Sequence, residues 1–252
     1  MSQVFGTDSS QRIVSEFFKE RFISKLLTGV NCALILCGAK SSGKSHSLIG
    51  EIPSASQAKV CSLSTDNAGI LPNIIRGLYQ KMRSNSTVSY TIKCSFVVVH
   101  LERIIDLLRP QSNEGETIFE RYSHEGLHLD GATEYRCFEV EDVMDLIRRG
   151  VSFKSILSDT LSAENDFFHT CFLLRVTAST GKCATLFLFE MFGFGSSKKT
   201  NGAGLYANTS YHTSSEALKR VVEGLSRKVS EVPYHLSKVT SLLRDVLGGN
   251  CS

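Results

Sequence analysis

Residues 31–45 read Asn-Cys-Ala-Leu-Ile-Leu-Cys-Gly-Ala-Lys-Ser-Ser-Gly-Lys-Ser. The stretch Asn31–Cys37 is a short, nearly continuous apolar run, the pattern of a strand buried on both faces. The next eight residues, Gly38, Ala39, Lys40, Ser41, Ser42, Gly43, Lys44 and Ser45, fit G-x-x-x-x-G-K-[ST]. Such a loop wraps backbone N–H groups around phosphate oxygens, and the helix that follows adds a favourable dipole. Ser45–Ile49 suits that helix start. Lys44 is then expected to reach the β and γ phosphates of a nucleotide, and Ser45 to place its hydroxyl on Mg²⁺. His46 completes the candidate nucleotide-binding set. A chance match in a Gly/Ser-rich turn is the bland alternative, and the apolar run ahead of the motif argues against it.

Outward from this loop, helical and strand patterns alternate. Ile13, Val14, Phe17, Phe18, Phe22, Ile23, Leu26 and Leu27 fall at helical spacing between Ser10 and Leu27, with Gly29 as a stop. Residues 51–67 are polar and irregular. Leu71–Arg83 reads as a helix, and Val88–Val98 alternates as a strand does. Glu139–Arg149 reads as a helix closed by Gly150. Phe168–Val176 and Cys183–Phe189 are two more apolar strands. Lys198–Ser215 is polar, and helices are expected at about Ser215–Lys228 and Leu236–Leu247, before Gly248-Gly249. Strands alternating with helices imply a layered α/β domain.

Composition agrees with a folded domain and excludes several classes. The chain has 252 residues, 42% hydrophobic and 21% charged, which argues against disorder and low complexity. No apolar run reaches the ~18 residues of a membrane helix, and the N-terminus lacks a secretory pattern. The eight cysteines are scattered without C-x-x-C spacing, so free, mostly buried thiols in a cytosolic chain are expected. Net charge is +3 but uneven: residues 196–252 carry eight basic and four acidic residues. That surplus suits an acidic partner or a solvated surface equally.

His124-Glu125-Gly126-Leu127-His128 matches H-E-x-x-H. A zinc peptidase needs both histidines on one helical face. Gly126 costs a helix about 1 kcal/mol relative to Ala, and Asp130-Gly131 follows. The stretch therefore reads as a loop running into a short strand at Leu127 and Leu129.

Several motifs together resemble the kinesin motor-domain family. Val4-Phe5-Gly6 with Gln11, Leu27-Thr28-Gly29-Val30-Asn31 ahead of the loop, and Gly69-Ile70-Leu71-Pro72 resemble its N-terminal half. Val99–Leu108, ending Arg103-Ile104-Ile105-Asp106-Leu107-Leu108, resembles its E-I-Y…D-L-L strand, and Gly131-Ala132-Thr133-Glu134 with Val140–Gly150 its approach to switch I. The closest agreement is Val232-Pro233-Tyr234-His235-Leu236-Ser237-Lys238-Val239-Thr240-Ser241-Leu242-Leu243, then Leu247-Gly248-Gly249-Asn250. The order holds over nearly the whole chain. The resemblance implies one domain over residues 1–252, a three-layer α/β/α P-loop NTPase sandwich, with ATP or ADP and Mg as cofactors. It implies microtubules as partner, with no nucleic acid and no membrane span, and a cytoplasmic, cytoskeletal location. Lys199, Tyr234, Lys238 and Arg244 are the residues it places near tubulin. His235 and Leu236 stand where the family has Arg-Asp.

The departures concern catalysis. Switch I in the family reads N-x-x-S-S-R-S-H; here Asn165, Asp166, Phe167 and Phe168 precede His169. Switch II reads D-L-A-G-S-E; here it is Glu190-Met191-Phe192-Gly193-Phe194-Gly195. Gly193 keeps the γ-phosphate-sensing position and Glu190 replaces the magnesium-holding Asp. The Arg and Glu that pair across the switches become Phe167 and Gly195. Losing one member of a buried ion pair costs about 3–5 kcal/mol, whereas losing both is nearly neutral. The family's first and last strands would lie before Val4 and after Ser252, which leaves Asn31–Cys37 as an exposed edge that a partner chain could cover. Three functions follow as alternatives: a nucleotide- and microtubule-binding head with impaired hydrolysis, an active microtubule-stimulated motor ATPase, and a non-catalytic interaction module.

Overall fold

The computed structural model describes residues 3–51, 67–109, 117–123, 126–160, 167–193, 204–249 and 251. Helix α1 (Gln11–Thr28) begins where the Ser10 hydroxyl accepts the Ile13 N–H. It ends at Gly29, whose left-handed backbone (φ 90°) lets the N–H groups of Gly29 and Val30 close on the Leu26 and Lys25 carbonyls. Then follow β1 (Cys32–Leu36), α2 (Lys44–Leu48), α3 (Ile70–Ser84), β2 (Tyr90–His100) and β3 (Arg103–Asp106). A second hairpin, β4 (Phe119–Ser123) and β5 (Gly126–Asp130), precedes β6 (Tyr135–Cys137), α4 (Val140–Thr160), β7 (His169–Ala178) and β8 (Cys183–Glu190). The chain closes with α5 (Gly204–Ser226), a 3₁₀ turn at Tyr234–Leu236, α6 (Lys238–Leu242) and α7 (Arg244–Leu247).

The main sheet runs β1-β8-β7-β2-β3, with β6 also paired to β2. Among the described residues β1 and β8 are the only strands paired in parallel; the other strand pairs are antiparallel. The period-2 pleat sorts the core into two clusters. Ile92, Phe96, Phe172, Leu174, Leu186 and Leu188 face α1, α3 and α4. Val97, Val99, Cys171, Leu173, Phe187 and Phe189 face α6 and the β4–β5 hairpin. A sheet covered on both faces explains why β2 is buried continuously from Cys94 to His100 despite its alternating start.

Four expectations are corrected. Gly150 does not end its helix; α4 runs through it to Thr160, because a glycine there lets the helix press on β2. A Cβ at Gly150 would lie 2.2 Å from Phe96 Cδ1. The polar stretch before Ser215 is helical from Gly204. The expected helix over 236–247 is broken into three pieces, since Ser237 and Thr240 form a reciprocal capping box that starts α6 afresh. β1 is half-buried from Ala33 onward rather than enclosed on both faces. Among the described residues β8 is its only strand neighbour, and its other edge carries one bridge, Asn31 to Cys251.

The described part of the H-E-x-x-H stretch is in β5: Gly126 takes φ 100° and Leu127–His128 are extended, so His128 is on a strand and not on a helix. His124 and Glu125 lie outside the described residues. No helix among the described residues is long and apolar enough to cross a membrane.

Candidate nucleotide site

Topology brings three segments to one end of the sheet. β1 and β8 are parallel, with Leu36 opposite Glu190, so their C-terminal ends lie side by side. β7 is antiparallel to β8, with Thr170 opposite Glu190, so the start of β7 joins them. The loop Gly38–Gly43 therefore meets both candidate switch segments outside the carboxyl ends of parallel strands, where open α/β sheets place ligands. A cavity of about 450 Å³ opens there. Lys40–His46, Lys154, Ser158, Phe168 and Glu190–Gly193 line it.

Within the loop, Ser41 (φ 63°) and Gly43 (φ 85°) take left-handed backbone, and Ser42 N–H closes on the Ala39 carbonyl at 3.2 Å. α2 follows at once, with Ser47 N–H bonded to the Gly43 carbonyl. Gly38 and Ala39 present their carbonyls to Lys44, whose ammonium donates to them at 3.1 and 2.6 Å. The Gln11 side chain donates to the His46 and Ser47 carbonyls, tying α1 to α2.

The Ser45 hydroxyl donates a hydrogen bond to the Glu190 carboxylate. Both are hard oxygen donors of the kind Mg²⁺ selects, so the residues present fit that ion. Gly193 sits against the loop: a Cβ there would lie 2.2 Å from the Lys40 backbone nitrogen, so only glycine permits this approach. Met191 N–H also bonds to the Leu36 carbonyl at 3.0 Å.

The two switch segments touch through aromatic rings. Phe167 packs on Phe192 with ring centroids 4.7 Å apart, and the Lys40 ammonium lies 6.0 Å from the Phe192 ring. His169 Nδ1 accepts the Phe192 N–H at 3.3 Å. Burial, aided by the nearby Lys154 charge, lowers the His169 pKa to about 4, so the imidazole is neutral at physiological pH.

Lys154 was not anticipated. Its ammonium donates to Thr170 Oγ1 at 2.7 Å and lies 4.0 Å from Glu190 Oε2. It stands one helical turn after Gly150. Periodicity continued past that glycine would have put it on the sheet-facing side.

Phe167, Phe168, His169, Glu190 and Gly193 are thus brought together with the loop. Asn165, Asp166, Gly195 and Lys199 lie outside the described residues. Tyr234, Lys238 and Arg244 gather elsewhere, beside β4. Lys238 pairs with Glu120 at 2.9 Å. Burial pushes the Glu120 carboxyl up, but hydrogen bonds from Lys238 and Ser241 outweigh it and hold the pKa below the usual range. The Arg244 guanidinium lies 5.3 Å from the Tyr122 ring and 5.9 Å from the Tyr234 ring.

This geometry has relatives. The chain is 29% identical to a kinesin heavy chain of Botryotinia fuckeliana, over 98% of this chain and 28% of that protein. It is 26% identical to kinesin-like protein 3 of Schizosaccharomyces pombe, over 98% of this chain and 44% of the relative. It therefore spans less than half the length of either. A solved structure of a fast kinesin superposes with a TM-score of 0.85 at 26% identity, over 100% of this chain and 70% of that one. The kinesin motor domain family matches residues 1–252, and the chain belongs to that family.

Proposed function

We propose that the chain binds ATP or ADP with Mg²⁺ in the cavity at the Gly38–Ser45 loop, binds microtubules, and hydrolyses ATP poorly. The nucleotide half rests on the Ser45–Glu190 hydrogen bond, which joins the loop to switch II among the strand ends. On binding, Lys44 exchanges the Gly38 and Ala39 carbonyls for phosphate oxygens, and Gly193 offers its amide beside Lys40. Magnesium, when bound, neutralises phosphate charge, with Ser45 and Glu190 as the oxygen donors toward it. Lys154 offsets the Glu190 carboxylate from the other side.

The catalytic half is supported by the Phe167–Phe192 contact. Phosphoryl transfer is mostly positioning and electrostatics. Two rings packed at a tilt hold the segments together but offer no charge or hydrogen bond to an attacking water. Microtubule binding follows from family membership and is assigned to the face carrying Tyr234, Lys238 and Arg244. Lys238 is already paired with Glu120, so Arg244 contributes more of the available positive charge there. A cytoskeletal location is consistent with this reading.

Thermal shift with ATP·Mg tests binding: stabilisation is expected, and Lys44→Ala removes it. No shift in the parent chain would overturn the nucleotide reading and favour an interaction module. Single-turnover hydrolysis with and without microtubules tests catalysis; a normally stimulated rate would restore the motor ATPase.

A further inference from the structure

The cavity at the Gly38–Ser45 loop is closed at its switch II end. Gly193 meets the first half of the loop backbone to backbone: a Cβ there would lie 2.2 Å from the Lys40 nitrogen and 2.5 Å from the Ala39 carbonyl carbon. No phosphate fits between groups in van der Waals contact. The segment is pinned in that position at successive residues. Met191 N–H bonds to the Leu36 carbonyl at 3.0 Å, and Phe192 N–H to His169 Nδ1 at 3.3 Å. The Phe192 ring packs on Phe167 with centroids 4.7 Å apart, and the Lys40 ammonium lies 6.0 Å from the Phe192 ring. Glu190 lines the same cavity, its carboxylate accepting from Ser45, with the Lys154 ammonium 4.0 Å from its other oxygen. The Lys154 charge is thus already opposed.

We propose that this closure makes the site selective for a nucleoside diphosphate over a triphosphate, with the Phe167–Phe192 contact setting the selectivity by holding Gly193 against the loop. The inference rests on the nucleotide reading above, in which the Gly193 amide meets the terminal phosphate of a triphosphate. That phosphate needs the space the Gly193–Lys40 contact closes. Two phosphates lie along Ser41–Ser45, which line the cavity, and leave the contacts between the switches intact. A third is admitted only after Gly193 withdraws, so the free energy of opening is subtracted from triphosphate affinity. Opening breaks a hydrogen bond and an aromatic contact, together about tenfold or more in affinity.

Isothermal titration of the nucleotide-free chain tests it, with ADP·Mg and, separately, with the magnesium complex of the β,γ-imido analogue of ATP. ADP is expected to bind about tenfold tighter or more. Phe192→Ala should raise the affinity of the analogue and leave that of ADP within about twofold. Phe167→Ala removes the other ring of the same contact and should act alike, which keeps the test open where one variant fails to fold. Equal affinities in the parent chain overturn the proposal and leave the nucleotide reading standing. So does a preference for ADP that the variants do not narrow, or variants that weaken both nucleotides together, as a merely structural role of the rings would. Binding of neither nucleotide by the parent chain overturns the nucleotide reading and this inference with it.

Discussion

His169 carries a measurable consequence of its burial at the junction of the switches. Its neutral ring accepts the Phe192 N–H, and burial, with Lys154 nearby, lowers its pKa to about 4. The unfolded chain takes up this proton near pH ~6.5, whereas the folded chain refuses it until about pH 4. The stabilisation is therefore complete above the unfolded value and is lost as pH falls through that window, by roughly 3 kcal/mol in all. Urea denaturation of the parent and His169→Gln chains, compared across that range, should show a shallower pH slope in the variant. Parallel slopes would mean that His169 protonates freely in the folded state. At this scale Lys44 and Ser45, named from the loop motif, and Glu190 and Gly193, named from the family resemblance, come together around one cavity. Lys154 was not, because its place depends on where α4 crosses the sheet. Nor was the Phe167–Phe192 contact, which joins residues far apart in sequence.

Helix α4 shows an element overriding local propensity. Glycine in a helix interior is worse than alanine by about 1 kcal/mol, so propensity alone makes Gly150→Ala stabilising. The structure predicts the reverse. An added Cβ meets Phe96 Cδ1 at 2.2 Å and Cε1 at 2.5 Å, and Phe96 is fixed edge-on against Phe172 with centroids 5.4 Å apart. Gly150→Ala should cost about 1–3 kcal/mol, as overpacking does. Phe96→Leu should recover part of that in a double-mutant cycle of denaturation midpoints. Additive losses would show that the helix does not press on that ring. The same contact explains why a C-terminal stop at Gly150 was a natural but mistaken reading. The break at Ser237 was hidden for a related reason: the apolar spacing from Leu236 to Leu247 continues across a cap that only its hydrogen bonds reveal.

On the scale of the whole molecule, the outer edge of β1 is the feature with the largest consequence. Its side chains are half-buried and, among the described residues, its outer side carries only the Asn31–Cys251 bridge. Unpaired strand edges recruit other strands. We expect this chain to self-associate with rising concentration in sedimentation velocity. Val30→Lys, at the exposed residue leading into β1, should weaken that association, since edge lysines oppose pairing. A chain that stays monomeric at every concentration would show the edge to be adequately covered.

The amino-acid sequence by itself determined the glycine-rich loop at Gly38–Ser45, the ordered motifs that mark the family, and most strands and helices, because these depend on spacing between near neighbours. Tertiary structure alone decided which residues meet. Lys154 beside Glu190, the ring contact between the switches, and Gly193 against the loop all depend on strand order and register. Those are selected by burial over the entire sheet, and no local pattern encodes them.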